Sequence, residues 1–402
     1  MPPGPPSAAA GEGRVNGAFQ VLAKPAGAAC NLVCRYCYYL HRPAREPAHR
    51  MRRRTLEAFV RDTIAAQPQA REIVFSWQGG EPALAGIDFF REALALQERY
   101  RPPGVRIENA FQTNGTLIDA EWTAFFAEHG FLVGVSIDGP ARLHDPLRRD
   151  ARGAGSHARA LRSIERLARA GVEFNTLTVV HRLNYAHGRE VYRFLRRIGS
   201  RYMQFIPLVE RLRTDGALAV PPPGDPDAAP APWMPPREGF GRFLCEVFDD
   251  WLSHDVGRVF VQLIEERVGA LAGLPARLCV FAPDCSGTPM LEANGDLYSC
   301  DHYGYPAWRL GNIAETRLGE LVRGERQRAF GQAKRAPLPA ACLDCEHLQC
   351  CCGGCPKHRF VPAAAGPAEN YLCPSYRRFF AHTAPALAGL ARAAAVAWSH
   401  PE

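Results

Sequence analysis

The sequence predicts an α/β protein in which parallel β/α units close into a partial or full barrel, followed by a smaller cysteine-rich module. Three observations lead there. Short apolar strand patterns alternate with amphipathic helix patterns from about residue 17 to about residue 210, as parallel β/α units require. Ten of the fourteen cysteines lie between Cys279 and Cys373, in a stretch with little regular periodicity. The length, 402 residues, exceeds what one ordinary core supports.

Residues 1–16 are rich in Pro, Gly and Ala and are expected to be disordered. Their opening, MPPGPPSAAAGEGR, has no basic start followed by an apolar run and does not read as a secretory signal. No stretch approaches the roughly 18 apolar residues of a membrane span. The cytoplasm is therefore the expected compartment and no membrane is expected as partner. A reducing compartment disfavours structural disulfides, so fourteen thiols read first as metal ligands. Net charge is +7 and hydrophobic content 47%, which allows a globular interior and argues only weakly for an acidic partner. The run Arg50-Met51-Arg52-Arg53-Arg54 lacks interleaved aromatics, so it reads as a solvated helix start and not a nucleic-acid patch.

Strand patterns fall at 73–77, 105–111, 131–137, 173–180 and 202–206, with a further strand expected just before Cys30. Helical patterns fall at 55–67, 87–100, 119–129, 156–170 and 188–198. An open doubly wound sheet is the alternative to a barrel. Residues 212–237 are Pro/Ala/Gly-rich and read as a linker or surface insertion outside the catalytic chemistry. The segment EGFGRFLCEVFDDWL puts Phe240, Phe243, Leu244, Val247, Phe248 and Trp251 on one helical face, with Cys245 as a buried bystander. The expected organisation is a tail at 1–16, a barrel domain at 17–237, a helical connector at 238–275, the cysteine-rich module at 276–381 and a helix or tail at 382–402. There is no internal repeat of 20–50 residues. The ending WSHPE resembles part of an affinity tag and is assigned no function.

The stretch CNLVCRYC places Cys30, Cys34 and Cys37 in a C-x3-C-x2-C spacing. Structural zinc takes four closed ligands, whereas three thiolates can hold three irons of a 4Fe–4S cluster and leave the fourth open. A zinc site or three unrelated thiols are the alternatives. WQGGEP follows the second strand pattern; Gly79 and Gly80 let a ligand approach the backbone, and Glu81 supplies an anionic acceptor for an ammonium group. QTNG (112–115) and SIDG (136–139) also lie at the carboxyl ends of strand patterns, where barrel enzymes build their sites. A plain turn is the alternative for the Gly-Gly and QTNG segments.

Taken together, C-x3-C-x-aromatic-C and the Gly-Gly-Glu segment resemble the radical S-adenosylmethionine (SAM) superfamily. The resemblance implies a partial (β/α)6-type TIM barrel that binds SAM at the open iron. It implies that Tyr36 lies near the bound nucleoside, that Gly79, Gly80 and Glu81 hold the SAM amino group, and that Ser136 and Asp138 are SAM contacts. It also makes Arg148 a candidate for the SAM carboxylate, an ordinary surface arginine being the alternative. One-electron cleavage of SAM would yield a 5′-deoxyadenosyl radical; the cofactor carries the hard step and the protein orients it.

The downstream thiols run Cys279-x5-Cys285-x14-Cys300, then, after 41 residues, Cys342-x2-Cys345-x5-Cys351-x3-Cys355-x17-Cys373. Eight thiols are two sets of four, read most simply as two fully ligated 4Fe–4S clusters, with two zinc sites or a disulfide framework as alternatives. The series resembles the SPASM domain of radical SAM enzymes that modify peptides, and the chain as a whole is similar to the anaerobic sulfatase-maturating enzymes. The likeness runs from AKPAGAACNLVCRYCYYL through QTNGTLI, VGVSIDGP, NGDLYSCDH and LGNI to GGCPKHRF and NYLCPSY. It implies one auxiliary cluster on Cys279, Cys285, Cys300 and Cys355 and another on Cys342, Cys345, Cys351 and Cys373, three clusters in all. The triplet Cys350-Cys351-Cys352 carries two thiols beyond the pattern; Cys351 preserves the spacing, and Cys350 and Cys352 stay open as alternatives.

The same resemblance makes Asp301, directly after Cys300, the general base, with His302 as runner-up. Burial is expected to raise the Asp301 pKa toward working pH. Tyr39 and Gln78 are implied to lie on the substrate side, with packing the alternative for Tyr39. The implied reaction oxidises a cysteine or serine of a sulfatase polypeptide to Cα-formylglycine. The radical takes a β-hydrogen, Asp301 takes the thiol or hydroxyl proton, and an electron leaves toward an auxiliary cluster. The implied partners are an unfolded or nascent C/S-x-P-x-R-type segment and an electron donor such as flavodoxin or ferredoxin. The alternatives are an enzyme that installs thioether or carbon–carbon crosslinks on peptides, and an iron–sulfur electron-transfer or scaffold protein without SAM chemistry.

Overall fold

The computed structural model describes residues 19–39, 50–335, 338–364 and 366–399, with side chains up to residue 392. The expected disordered tail at 1–16 lies outside the described residues, as do the last three residues of WSHPE.

Each expected β/α unit is present, with ends within two residues of those read from the pattern. In chain order the barrel runs β1 (Leu22–Ala23), α1 (Arg53–Ala65), β2 (Glu72–Trp77), α2 (Ile87–Tyr100), β3 (Arg106–Thr113), α3 (Ala120–His129), β4 (Leu132–Ser136), the short α4 (Ala141–His144), α5 (His157–Arg169), β5 (Phe174–Val180), α6 (Gly188–Arg197) and β6 (Tyr202–Pro207). Local chemistry sets the ends. Asp119 caps α3 by accepting from the Trp122 N–H at 3.0 Å, and Gly130, left-handed at φ 61°, closes it.

The six strands pair in parallel in sequence order. Short strands β7 (Arg211–Leu212) and β8 (Ala229–Pro230) form a separate hairpin. Next come α7 (Gly239–His254), β9 (Phe260–Val261), which extends the sheet beyond β6, and α8 (Gln262–Leu271). On the opposite edge β1 pairs in parallel with β10 (Met290–Leu291), which continues antiparallel into β11 (Asp296–Tyr298) and β12 (Arg309–Asn312). Among the described residues this makes one ten-stranded sheet of linear order β12-β11-β10-β1-β2-β3-β4-β5-β6-β9. Its two ends do not meet, so the barrel is partial and not full.

The core lies between this sheet and its helices. Trp77, the last residue of β2, is ringed by Phe59, Phe75, Phe89 and Phe90 at centroid distances of 5.5–6.1 Å. Its indole N–H donates to Asn109 Oδ1 at 2.8 Å, so the ring is buried without an unpaired donor. Removing such a ring costs about 3–5 kcal/mol. Here it would also loosen the Gly-Gly-Glu segment that follows directly.

The cysteine-rich module continues with α9 (Leu318–Arg323), α10 (Glu325–Gln332), α11 (Ala340–Leu343), α12 (Leu348–Cys351), the hairpin β13 (Arg359–Val361)/β14 (Glu369–Asn370) and α13 (Cys373–Ser399). Several contacts tie it to the rest of the chain. β10 joins β1. Arg317 pairs with the buried Asp62 of α1 at 2.7 Å. α13 packs on α7, where the Gly241 N–H donates to Ser375 Oγ at 2.8 Å and a side chain at Gly241 would meet Ser375 main chain. The expected apolar face of α7 is buried, and so is Cys245.

The Pro-rich segment, expected as a linker or surface insertion, is packed against the rest of the chain. Buried Arg211 donates to the carbonyls of Asp225 (2.9 Å), Val220 (3.2 Å) and Gly224 (3.1 Å), gathering the loop around one guanidinium. Ala231 and Met234 are buried, and the Tyr305 hydroxyl donates to Ala219 O at 3.3 Å. The segment is a folded flap against the cysteine-rich module, because one cation satisfies several loop carbonyls at once. Among the described residues no helix is long and apolar enough to cross a membrane.

Candidate functional site

Cys30, Cys34 and Cys37 lie in the loop after β1, all three partly buried and free of disulfides. The loop is pinned from two sides. Val33 N donates to Arg149 O at 2.7 Å and Arg35 N to Leu147 O at 2.9 Å. Cys30 Sγ accepts from Leu32 N at 3.4 Å and from Asn114 Nδ2 at 3.8 Å. Asn114 belongs to QTNG and also donates to Asn31 Oδ1 at 2.9 Å, so that turn holds the cysteine loop. Burial pushes the Cys30 thiol up to about 11 and the Cys34 thiol to about 12, and the neighbouring thiols add to it. Metal binding here must expel protons.

Three soft sulfur donors suit iron–sulfur ligation. Among the described residues no three His, Cys, Asp or Glu side chains are placed to hold one metal ion; a cubane, whose thiolates each take a different iron, has a wider ring of ligands.

The Gly-Gly-Glu segment is zipped onto that loop. Gln78 N donates to Ala23 O (2.9 Å), Gly80 N to Gly27 O (3.0 Å) and Glu81 N to Ala29 O (2.8 Å). Gly79 has φ +138°, and a Cβ on Gly80 would stand 2.1 Å from Ala29 O. Main-chain contact therefore requires glycine here. Glu81 is fully enclosed. Its Oε1 accepts from Ala83 N (3.0 Å) and Thr113 Oγ1 (2.8 Å), and its Oε2 from Asn114 N (2.8 Å). The carboxyl expected to receive an ammonium group thus ties its own turn to the QTNG turn. Burial pushes it up to about 7 against these three donors.

Ser136 is buried at the end of β4, and Asp138 two residues later is a hub. Asp138 Oδ2 accepts from the Tyr36 hydroxyl (2.5 Å) and Arg148 Nε (3.1 Å), and its Oδ1 accepts from Val179 N (3.0 Å). Arg148 Nε also donates to the Tyr36 hydroxyl at 2.6 Å. Arg148 is buried, unlike an ordinary surface arginine. Burial opposes ionisation of Asp138, but the Arg148 guanidinium and the Tyr36 hydroxyl hold it below the usual carboxylate range. Burial in turn drives His144 down to about 3 and His181 to about 4, so both imidazoles are neutral at pH 7.

On the other side of β1, the β10–β11 pairing carries Cys300 and Asp301 to the cysteine loop. The Lys24 ammonium, 1% exposed, stands 2.7 Å from Asp301 Oδ1, and the Tyr38 hydroxyl donates to Asp301 Oδ2. The same ammonium lies 4.8 Å from the centre of the Tyr39 ring, and the Tyr39 hydroxyl donates to Glu292 at 2.6 Å. Burial does raise the Asp301 carboxyl, as expected, but Lys24, His302 and the Tyr38 hydroxyl outweigh it. Its pKa falls below the usual carboxylate range, which corrects the expected rise toward working pH. A cation in contact overrides burial.

The downstream thiols gather in two groups. Burial pushes Cys285 up to about 12, and its thiol neighbours are Cys355 and Cys279. Cys300 likewise feels Cys279 and Cys355. Burial pushes Cys351 up to about 12, with Cys350, Cys373 and Cys342 acting on it, while Cys373 feels Cys345. Cys350 instead turns its thiol to His347 O at 3.2 Å, and left-handed Cys352 points to Gln349 O at 3.8 Å.

A model of the radical SAM superfamily matches residues 25–195, and a model of an iron–sulfur cluster-binding domain matches residues 285–346. The serine-type anaerobic sulfatase-maturating enzyme of Bacteroides thetaiotaomicron is 39% identical over 91% of this chain and 89% of its own. The chain belongs to the anaerobic sulfatase-maturating enzymes. The cysteine-type member of the family from Clostridium perfringens is 30% identical over 93% of this chain and 98% of its own. The solved structure of native anSMEcpe with bound AdoMet and a Cp18Cys peptide superposes with TM-score 0.81, at 30% identity over 93% of this chain and 99% of that one. The protein is thus a radical SAM enzyme with a partial α/β barrel, a C-terminal SPASM domain and iron–sulfur clusters.

In this sulfatase-maturating enzyme the structure brings the expected residues together around the two ends of the cysteine loop. Tyr36, Asp138 and Arg148 touch one another; Gly79, Gly80 and Glu81 touch the loop main chain; Asp301 and Tyr39 share Lys24. Gln78 is half-buried beside Ala23. Sequence reading missed Lys24, Tyr38 and Glu292. Lys24 follows the last residue of β1, a carboxyl-end position that could have flagged it. Tyr38 and Glu292 carry no such signal.

Proposed function

We propose that the chain oxidises a seryl or cysteinyl side chain of an unfolded sulfatase segment to Cα-formylglycine, with serine preferred. The preference rests on 39% identity to a serine-type enzyme against 30% to a cysteine-type one. The observation that carries the reaction is Asp301, buried against Lys24 and Tyr38 and joined through β11, β10 and β1 to the loop of Cys30, Cys34 and Cys37. Reductive cleavage of SAM bound at a cluster on those three cysteines would supply a 5′-deoxyadenosyl radical able to take a β-hydrogen.

This chain's own residues do the rest. Gly79 and Gly80 present bare main chain to the SAM amino group, and Glu81 acts by fastening that segment. Arg148, held by Asp138 and Tyr36, turns positive charge toward the SAM carboxylate, while Ser136 and Tyr36 bound the nucleoside side. Gln78 and Tyr39 flank the substrate.

Asp301 takes the hydroxyl or thiol proton. A hydroxyl on a carbon radical is more acidic than the parent alcohol, which narrows the gap that so weak a base must bridge. Lys24 and Tyr38 keep the carboxylate ionised and aimed. Loss of one hydrogen atom, one proton and one electron gives the aldehyde, directly from serine and through thioaldehyde hydrolysis from cysteine. Two auxiliary clusters, on Cys279, Cys285, Cys300 and Cys355 and on Cys342, Cys345, Cys351 and Cys373, would supply an acceptor for that electron. A small flavin or iron–sulfur donor of the flavodoxin or ferredoxin class would reduce the first cluster.

Anaerobic incubation with SAM, dithionite and paired serine and cysteine peptides tests the reading. Loss of two hydrogens from the serine peptide with stoichiometric 5′-deoxyadenosine is the expected result. Asp301→Asn should still cleave SAM yet lose most product. A crosslinked product, or unchanged turnover in Asp301→Asn, would overturn the assignment.

A further inference from the structure

Lys334 follows α10 and is completely buried. Its ammonium donates to the carbonyls of Cys279 (2.5 Å), Val280 (3.0 Å) and Ala282. These bonds use its three protons, and among the described residues it forms no ion pair with a carboxylate. Burial acts against that charge, and the groups that most oppose burial are the thiols of Cys285, Cys279, Cys355 and Cys352, none of them a carboxylate. A buried ammonium facing neutral thiols is costly. The same ammonium facing iron-bound thiolates has its counter-charge.

We propose that Lys334 is the built-in counter-cation of the auxiliary cluster on Cys279, Cys285, Cys300 and Cys355, a positioning residue that clamps the Cys279–Ala282 main chain and holds that cluster at a more oxidising potential. The role rests on the ligand reading given above. Net charge and hydrogen bonding around the sulfurs set cluster potentials, and a fixed positive charge favours the reduced, more negative form. That direction suits a cluster whose ligand Cys300 adjoins Asp301, because formation of the aldehyde releases an electron there.

The test uses the full-length enzyme, reconstituted without oxygen, with iron and sulfide counted and midpoint potentials followed by electron paramagnetic resonance. In Lys334→Gln one cluster's midpoint should shift to more negative potential while the other two stay in place, and Lys334→Arg should stay near the unmodified enzyme. Loss of about four irons in Lys334→Gln with retention in Lys334→Arg supports the same need for charge. An unmoved midpoint with full iron in Lys334→Gln, or equal loss or equal shift in both variants, overturns it. A Cys285→Ala enzyme that keeps all its iron overturns the ligand reading itself, and the role of Lys334 with it.

Discussion

Glu81 yields a prediction whose sign runs against intuition. The residue is fully enclosed, and burial raises its carboxyl from 4.5 to about 7 despite three donors. A folded pKa above the unfolded one means that the folded state holds the proton more tightly. The stabilisation is present below the unfolded value and is lost as pH rises through the folded one. Two to three pKa units correspond to ~3 kcal/mol. For 402 residues an unfolding entropy of ~2.1 cal/mol/K per residue gives ~0.8 kcal/mol/K, so the loss is worth ~4 °C in Tm.

Glu81→Gln removes the titration. Its amide oxygen can still accept from Ala83 N and Thr113 Oγ1, but its amide nitrogen then faces the Asn114 N–H, at a constant cost of about 1–3 kcal/mol. The variant should therefore be less stable than the unmodified enzyme near about pH 5 and should gain ~4 °C on it by about pH 8. The assay is thermal unfolding of both proteins, equally loaded with iron. Glu265, which burial also raises to about 7, is common to both and cancels. A pH-independent difference, or one that widens with pH, would show a carboxylate kept ionised by its three donors and would refute the reasoning.

Gly80→Ala must push the cysteine loop away, because its Cβ would stand 2.1 Å from Ala29 O; 5′-deoxyadenosine formation should fall about 100-fold, and activity within a few-fold of normal would contradict the close approach. Lys24→Met leaves Asp301 buried without its ammonium and should destabilise by about 3–5 kcal/mol. Adding Asp301→Asn should recover part of that loss in Tm, whereas strict additivity would show that the pair does not interact. Among the adjacent thiols, Cys351→Ala should lose about four irons per chain while Cys350→Ala and Cys352→Ala keep theirs; iron analysis decides, and the reverse pattern would reassign the ligand.

The barrel was legible where patterning is dense. The run from Ile73 to Trp77 and the strand ending at Ile137 are apolar and bounded by turn residues, so their places could be read directly. β1 left only a two-residue trace and was inferred from the cysteines that follow it. Thiols able to hold clusters were legible because their spacing is close and ordered. Their division into sets was not, since Cys355 lies more than fifty residues after Cys279, Cys285 and Cys300 and only resemblance links it to them. The Lys24–Asp301 pair spans 277 residues, and no local pattern reports a contact of that range. Composition left the Pro-rich segment open between a linker and a surface insertion, and could not show that one buried guanidinium collects its carbonyls. The GGEP run marked Glu81 as a contact of the SAM amino group, but it could not show the donors from Ala83, Thr113 and Asn114 that surround its carboxyl.

The shared sheet has a consequence for dissecting the molecule. β1 is two residues long, and β10 covers its outer backbone. A chain cut just before Met290 would leave that backbone bare, a template for joining a second molecule. The isolated N-terminal fragment should therefore stick to itself rather than survive as a smaller soluble catalyst.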